Sequence, residues 1–293
     1  MESLFLSKVV QFIFSGLSSG SIYALVALGF DIIYNTTLVV NLAQGEFLML
    51  GAMIMISFHG VFNLPIPLAL PLSTLIVGCI GILFDRLIIR PLKRPSIMLF
   101  ILLTLGGSTF LKGVALLIWG KDPYSAPTFI RTRSISVLGA TFSPQILWVI
   151  GTLAIVSIIL WFFFERTLFG KAMKACAENP RAASLMGVNV KTLIMISYFL
   201  GGAIGALGGM VIAPISFMVY DEGMMIGLKG FASAVLGGVG SYPGAVVGGL
   251  VLGLLESLST GYISSIFKDV LAFVVLLFIL VIKPSGLMKR AEE

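Results

Sequence analysis

Glu46 is the carboxylate whose sequence neighbours most strongly suggest a chemical role. It follows Asn41 and Gln44 and precedes an uncharged apolar run that extends to Phe58. On a helix, Asn41 and Gln44 would share a face, whereas Glu46 would point about 160° away from Gln44. An ionisable side chain inside an apolar run is costly in lipid, so it marks a pathway or a buried pair. We therefore predict that Asn41, Gln44 and Glu46 lie along a substrate pathway.

The same three residues also have a structural interpretation. Asn41 could cap the start of a helix, and Glu46 would then lie near the positive end of that helix. This interpretation does not exclude function, because a helix that begins within a membrane presents unbonded N–H groups to a substrate carboxylate. Both interpretations stay open at the level of sequence.

Few other ionisable side chains stand inside apolar runs. Glu256 lies in the run 251–258, where it is either an interfacial carboxylate or a proton relay. Lys112 would extend its amine toward the interface or pair with an acid. His59, the single histidine, follows an apolar run and is interpreted as an interfacial residue. The adjacent Lys268 and Asp269 indicate a helix boundary.

The chain shows no pattern typical of catalysis. Gly170-Lys171 is followed by Ala172 and lacks the upstream glycine of a phosphate-binding loop. One histidine and two cysteines make neither a metal-ligand cluster nor a disulfide framework. We therefore predict no catalytic residue, no metal site, no cofactor and no enzymatic activity, so that any energy input must come from a partner or an ion gradient.

The composition indicates a membrane protein. Of 293 residues, 58% are hydrophobic and 11% are charged, against about 45–50% and about 25% in an average soluble protein. Mean hydropathy is +1.09. A soluble chain could not bury so much apolar surface. The high hydrophobic and low charged fractions also argue against a disordered protein. The net charge of +6 comes from bases placed in short gaps between apolar runs, which argues against a nucleic-acid partner.

The apolar runs predict an all-α, polytopic transmembrane bundle of eight or nine spans that forms one domain over 1–293. A Gly-rich short or broken helix is expected in the C-terminal half. The predicted spans are Val9–Phe30, Asn41–Phe58, Pro65–Phe84, Ser96–Gly120, Pro144–Phe164, Thr192–Ala213, Met224–Gly238, Ala245–Leu258 and Val270–Ile282.

Three segments hold most of the basic residues, and the positive-inside rule places them in the cytoplasm. They are Asp85–Arg94, Glu165–Lys191 and the C-terminal tail that begins at Lys283. The stretch Lys121–Ser143 is placed outside, although it carries Lys121, Arg131 and Arg133. The side of the N-terminus stays open.

Glycines recur at spacings of four residues. Such stripes of small residues let helix backbones approach closely in lipid. The stripe either serves packing alone or lets helices slide past their neighbours. The residues assigned to helix packing are Gly201, Gly205, Gly209, Gly240, Gly244 and Gly248.

The segment Glu165–Lys191 is the longest polar stretch. Pro180 could open a short helix capped by Asn179, with Leu185 and Met186 as apolar contacts. Such a helix would dock on a cytoplasmic partner, and the alternative is a solvated basic loop. Cys176 within it should react with thiol reagents from the cytoplasm only. The candidate coupling residues are Glu178, Asn179, Arg181, Ala182, Ala183 and Gly187.

Several ordered motifs resemble one family. The loop pattern G-x-A-x-x-A-x-A-E-N-x-x-A-A-x-x-x-G-V resembles the coupling loop of branched-chain amino acid ABC transporter permeases. The segments SGLSSGSIYALVALGF, NLAQGEFLMLGAM and GGVGSYPGAVVGG are also similar to that family, although Gln44 stands where the family often has histidine. The length resembles the LivH-type rather than the longer LivM-type permease.

The resemblance implies the ABC-importer permease fold and a place in the prokaryotic inner membrane, and the basic tail places the C-terminus in the cytoplasm. It implies a LivM-type homologous permease, two cytoplasmic ATP-binding subunits that hydrolyse the ATP, and a periplasmic solute-binding protein as partners. The implied substrates are Leu, Ile and Val. The alternatives are a permease for urea, amides or sugars, a secondary transporter that uses Glu46 or Glu256, and a channel.

Overall fold

The computed structural model describes residues 2–92, 96–130, 134–137, 139–262, 268–283 and 286–288. In chain order its helices are α1 (Glu2–Thr37), α2 (Gln44–Gly60), α3 (Ile66–Phe84), α4 (Ile97–Trp119), α5 (Gln145–Arg166), α6 (Leu168–Glu178), α7 (Pro180–Leu185), α8 (Val190–Ile212), α9 (Glu222–Gly237), α10 (Tyr242–Tyr262) and α11 (Lys268–Ile282). A π-helical turn, Asp85–Ile89, extends α3. A short antiparallel hairpin pairs β1 (Ile135–Val137) with β2 (Ala140–Phe142).

Within the described residues, six helices are long and apolar enough to cross a membrane, namely α1, α3, α4, α5, α8 and α10. Helices α2, α9 and α11 are shorter, with 17, 16 and 15 residues. These nine helices correspond to the nine predicted apolar segments, so the predicted helical membrane bundle is confirmed. The expected Gly-rich short helix is α9.

Several helix ends differ from the predicted spans, and the first helix differs most. The first span, expected to end at Phe30, continues as one helix of 36 residues to Thr37. Asp31 does not end it, because this carboxylate is fully buried and accepts a hydrogen bond from the backbone N–H of Gly240 at 2.9 Å. The second helix begins at Gln44 rather than at Asn41.

Helix α2 occupies the centre of the bundle. Every residue from Gln44 to Met53 is buried, and the helix packs against α1, α3, α4, α8 and α9. The predominantly apolar, uncharged sequence after Glu46 suits such a position, since a helix that is hydrophobic all round is a buried one. The polar residues at the start of α2 are therefore enclosed by protein.

Glycines allow the first and tenth helices to touch along their backbones. A Cβ added to Gly20 would lie 2.8 Å from the carbonyl oxygen of Gly249, and one added to Gly16 would lie 2.8 Å from the Cα of Leu254. A Cβ added to Gly253 would lie even closer to the backbone of Gly20. Helix–helix packing in lipid depends on such van der Waals contact.

The stripe Gly201, Gly205 and Gly209 on α8 faces other helices of the same chain. Gly201 lies against Ile33 of α1, where an added Cβ would be 2.8 Å from the side chain. Gly209 approaches the carbonyl oxygen of Leu48 in α2 so closely that a Cβ would overlap it. These positions support the packing interpretation of this stripe.

The second predicted stripe is not a single helix face. Gly244 and Gly248 lie on α10 and press against the backbone of α9 at Gly237. Gly240 precedes α10, in the turn after α9, with a φ of +88° that favours glycine. Its role is to form the turn, so assigning Gly240 to helix packing was wrong.

Several sequence predictions concern basic residues outside the described ranges, and the structure gives no position for them. They are Lys93, Arg94, Arg131, Arg133, Lys289 and Arg290.

Candidate functional site

Asn41 shapes the start of α2, although it is not the N-cap residue of the helix. The cap position is Ala43, and the side-chain oxygen of Asn41 accepts a hydrogen bond from the Ala43 N–H at 3.1 Å. The Asn41 carbonyl accepts the N–H of Gln44 at 3.0 Å. Asn41 therefore forms a tight turn that leads into the helix, which corrects the expected capping role.

Gln44 is wedged between α1 and α8. Its amide nitrogen donates to the carbonyl oxygen of Gly201 at 2.8 Å. A Cβ on Gly205 would lie 3.3 Å from the same nitrogen, and one on Gly29 of α1 would overlap it. The glycines on both sides make the space for this side chain, which is fully buried.

Glu46 points to the other side of α2, toward α4 and α9. Its Oε1 accepts a hydrogen bond from the Ser108 hydroxyl of α4 at 2.8 Å. Its Oε2 lies beside the first turn of α9, where a Cβ added to Gly223 would be 2.6 Å from it. The positive end of a helix stabilises a carboxylate placed there. Glu46 is only 1% exposed, so this carboxylate is held inside the bundle.

The structure does not bring Gln44 and Glu46 into one site, in agreement with the helix geometry expected from sequence. Each of the three candidate side chains nevertheless retains one buried polar atom without a hydrogen-bond partner among the described residues: Asn41 Nδ2, Gln44 Oε1 and Glu46 Oε2. Buried polar groups in proteins usually have such partners. Of these three atoms, the Oε2 of Glu46 is the one that belongs to a carboxyl group.

Lys112 also lies near this side of α2. Its ammonium nitrogen is 3.3 Å from the sulfur of Met224, in the first turn of α9. It stands four residues after Ser108 on α4, so both side chains lie on one face of that helix. The surroundings of Glu46 thus combine a hydroxyl, a helix N-terminus and a cation.

A second buried charge cluster joins α1, α9 and α10. The Lys229 ammonium lies 3.1 Å from Oε1 of Glu256, and the Tyr23 hydroxyl donates to the same oxygen at 3.1 Å. The side chains of Lys229 and Glu256 are 8% and 2% exposed. The interfacial interpretation of Glu256 was therefore wrong, because the carboxylate is inside the protein. Sequence reasoning missed Lys229, although a lysine in a Gly-rich apolar segment is itself a signal of a buried pair.

The segment between α5 and α8 forms two short helices with exposed apolar residues. Asn179 caps α7, and its side-chain oxygen accepts the N–H groups of Arg181 and Ala182 at 3.1 and 3.0 Å. Leu185 and Met186 are 89% and 85% exposed. The expected helix that opens at Pro180 is therefore confirmed, with Gly187 after its end at a φ of +86°.

Two residues of this segment are less accessible than the sequence suggested. Ala183 is 5% exposed, whereas Glu178, Arg181 and Ala182 are exposed. Cys176 is fully buried, and burial raises the pKa of its thiol. Because the thiolate is the reactive form, Cys176 is a poor target for thiol reagents from either side.

Comparison with known proteins gives the family. The family model described as branched-chain amino acid transport system / permease component matches residues 12–280. The chain belongs to this permease family. It is 32% identical over 97% of its length to the high-affinity branched-chain amino acid transport system permease protein LivH of Salmonella typhimurium, of which 96% is covered. It is 29% identical, with the same coverage, to the corresponding protein BraD of Pseudomonas aeruginosa.

The permease also resembles a solved structure in fold. A chain of PsaBC from Streptococcus pneumoniae, solved in complex with Fab, aligns with a TM-score of 0.54 over 97% of each chain. At 13% identity this likeness concerns the fold alone. With its long apolar helices, this permease is a multi-pass membrane protein.

Proposed function

We propose that this permease is a membrane-spanning subunit of an ATP-driven importer of branched-chain amino acids. The observation that carries the proposal is its similarity to LivH and BraD over 97% of the chain. Similarity of that extent includes the α2 start, the α6–α7 segment and the α9–α10 region together. The chain itself performs no chemistry and needs no cofactor in this proposal, because its partners bind and hydrolyse the ATP.

The proposed partners follow from the same role. They are a LivM-type homologous permease, two cytoplasmic ATP-binding subunits and a periplasmic solute-binding protein. The proposed location is the inner membrane, with the α6–α7 segment and the C-terminus in the cytoplasm. The exposed bases Lys171, Lys174, Arg181 and Lys191 in or beside that segment support this orientation.

Helices α6 and α7 form the proposed coupling surface. Leu185 and Met186 present apolar side chains, and Glu178, Asn179 and Arg181 present polar ones around them. An apolar centre with a polar rim is typical of a protein interface. The small Ala182 and Gly187 would let a partner groove close on the short helix.

Glu46 is the proposed substrate-pathway residue of the α2 start. A branched-chain amino acid carries an ammonium group that a buried carboxylate recognises well, and the Oε2 of Glu46 has no hydrogen-bond partner among the described residues. We assign Asn41 and Gln44 a supporting role, because their hydrogen bonds hold the start of the helix that carries Glu46.

Uptake by the reconstituted complex tests the function. Proteoliposomes are prepared with both permeases, with the ATP-binding subunits in the lumen and with the binding protein outside. They should accumulate labelled leucine only when ATP is enclosed in the lumen. Labelled urea and ribose are the comparison substrates, and their preferred uptake would indicate another solute. Gradient-driven leucine uptake by this permease alone would contradict the proposal.

Variants of the coupling surface test the contact with the ATPases. Ala182→Trp and Glu178→Arg change exposed residues, for which stability effects are usually within about 0.5 kcal/mol. They should reach wild-type abundance and lose ATPase stimulation by the loaded binding protein. The same bulky change at an exposed position of α4, Gly113→Trp, is the control and should keep that stimulation. Wild-type stimulation in both test variants would remove the coupling assignment.

A separate measurement tests Glu46. Glu46→Gln keeps the shape of the side chain and removes its charge. Leucine uptake should fall by about tenfold or more, as expected when a charged hydrogen-bond partner worth about 1.5–3 kcal/mol is lost. Complex yield and basal ATPase activity should remain unchanged. Unaltered uptake would place Glu46 outside the pathway.

A further inference from the structure

The turn between α9 and α10 is held by two other parts of the chain. The Gly240 N–H donates to Asp31 of α1 at 2.9 Å, and the Asn35 side chain donates to the Gly240 carbonyl at 2.9 Å. From the C-terminal segment, the Leu287 N–H donates to the carbonyl of Leu236 at 2.9 Å. The turn is therefore bonded to α1, and the end of α9 before it is bonded to the C-terminal segment.

An aromatic pair connects this turn to the end of α5. Tyr242, the first residue of α10, stacks on Phe164 with ring centroids 4.2 Å apart and planes inclined by 18°. Phe164 is 2% exposed. Stacked rings at this distance are in van der Waals contact, so neither ring can move toward the other without displacing it.

Helix α6 is attached to the end of α5 at Phe163 and Phe164. The Thr167 hydroxyl donates to the Phe163 carbonyl at 2.6 Å and accepts the Gly170 N–H at 3.1 Å. Gly170 packs so closely that an added Cβ would be 2.6 Å from the Cα of Phe164. Helix α6 and the end of α5 therefore form a rigid corner.

Helix α9 connects the turn to Glu46. Its C-terminal end is Gly237 and its N-terminal turn contains Gly223, which touches the Glu46 carboxylate. A helix of 16 residues spans about 24 Å. A displacement of the turn would therefore be carried along α9 to the proposed substrate pathway.

We propose that Phe164 and Tyr242 are positioning residues that transmit movement of α6 to the α9–α10 turn. The inference rests on the proposed coupling function of α6 and α7. The stacked pair is the contact through which the cytoplasmic corner and the Gly-rich hairpin move together. In this proposal both residues act only through the elements that they join.

Substitution of the rings tests the transmission. In the reconstituted complex, Phe164→Leu and Tyr242→Leu should lower leucine uptake per ATP hydrolysed by about fivefold or more, the lower range of typical coupling energies. Tyr242→Phe keeps the ring and should behave as wild type. Phe162→Leu, at a residue that is 58% exposed, is the matched control and should also behave as wild type.

Distance measurements that retain both rings give a second test, which does not depend on assembly of the leucine variants. Spin labels at Phe162→Cys and Pro243→Cys, with Cys79→Ser and Cys176→Ala, should keep their separation when the complex binds ATP. Gly113 lies on α4, outside the proposed connection. Labels at Gly113→Cys and Pro243→Cys should therefore change their separation when ATP binds. The proposal would be overturned if the 162–243 distance changed or if the 113–243 distance stayed the same. Normal coupling in Phe164→Leu and Tyr242→Leu would overturn it as well.

The two proposals fail in different ways. If the wild-type complex shows no ATPase stimulation and no uptake, the proposed function is wrong. If the wild-type complex is active and the leucine variants couple normally, only the role of the aromatic pair is wrong.

Discussion

At the scale of single residues, glycines determine where polar side chains can be placed inside the bundle. Gln44 reaches the Gly201 carbonyl because Gly29 and Gly205 carry no side chain beside it. Glu46 reaches the start of α9 because Gly223 leaves the space for its carboxylate. Close backbone approach and buried polar groups therefore depend on the same residues.

Gly205→Leu should damage assembly of the permease. A Cβ at this position would already lie 3.1 Å from the Cβ of Phe47, and the remaining leucine atoms have no space. Overpacking typically costs about 1–3 kcal/mol, and here it also displaces Gln44. Complex yield after detergent extraction is the measurement. Gly113→Leu is the control, since nothing lies within 4 Å of a Cβ there; equal yields for both variants would contradict the packing role.

Lys229→Met should destabilise the protein strongly. Removing one partner of a buried ion pair leaves an uncompensated charge, which costs about 3–5 kcal/mol. The double variant Lys229→Met with Glu256→Leu should recover most of that loss, because an apolar pair needs no charge compensation. The unfolding temperature of the purified protein measures both effects. A double variant less stable than Lys229→Met would show that the loss does not come from the uncompensated charge of Glu256.

At the scale of elements, the two ends of α9 perform different tasks. Its N-terminal turn packs on Glu46 and its C-terminal end leads into the turn held by Asp31 and Asn35. Between these ends, Lys229 anchors the helix to Glu256 of α10. A short helix held at three points moves as one body, which suits a link between the α9–α10 turn and the start of α2.

The orientation of the α6–α7 element can be measured with an introduced thiol. Because Cys176 is buried, Glu178→Cys is the better probe, in a chain with Cys79→Ser and Cys176→Ala. An impermeant maleimide should label it in inside-out vesicles and leave it unlabelled in intact cells, as the surrounding bases indicate. Labelling in intact cells would reverse the proposed topology.

At the scale of the whole molecule, the most extensive helix contact in the described part of the chain joins distant parts of the sequence. Helices α1 and α10 meet along Gly16, Gly20, Gly249 and Gly253. Tyr23 of α1 also donates to Glu256 of α10. The packing of the first helix is therefore completed only when most of the chain is present.

A chain truncated after Ser241 should be degraded rapidly. It retains α1 and α9 but loses α10, so the glycine face of α1 has no partner and Lys229 loses the Glu256 carboxylate. Its half-life after synthesis is stopped should be several-fold shorter than that of the full chain. Truncation after Met288 keeps every contact described here and is the control. Similar half-lives for the two truncated chains would show that α1 folds without α10.

The sequence by itself determined the number and approximate positions of the helices, because the length of an apolar run sets whether it can span lipid. It also determined the short helix at Pro180, since a capping asparagine and a following proline act locally. The opposed directions of Gln44 and Glu46 followed from helix geometry alone. The family followed from motifs whose residues lie close together in the chain.

Only the tertiary structure decided which distant groups meet. The pairing of Lys229 with Glu256, the position of Gly240 in a turn and the burial of Cys176 depend on contacts between separate helices. Hydropathy and spacing describe one segment at a time, so they cannot tell a buried carboxylate from an interfacial one. The difference arises because, in lipid, helices are positioned by close packing and hydrogen bonds between their surfaces, and those surfaces come from remote parts of the chain.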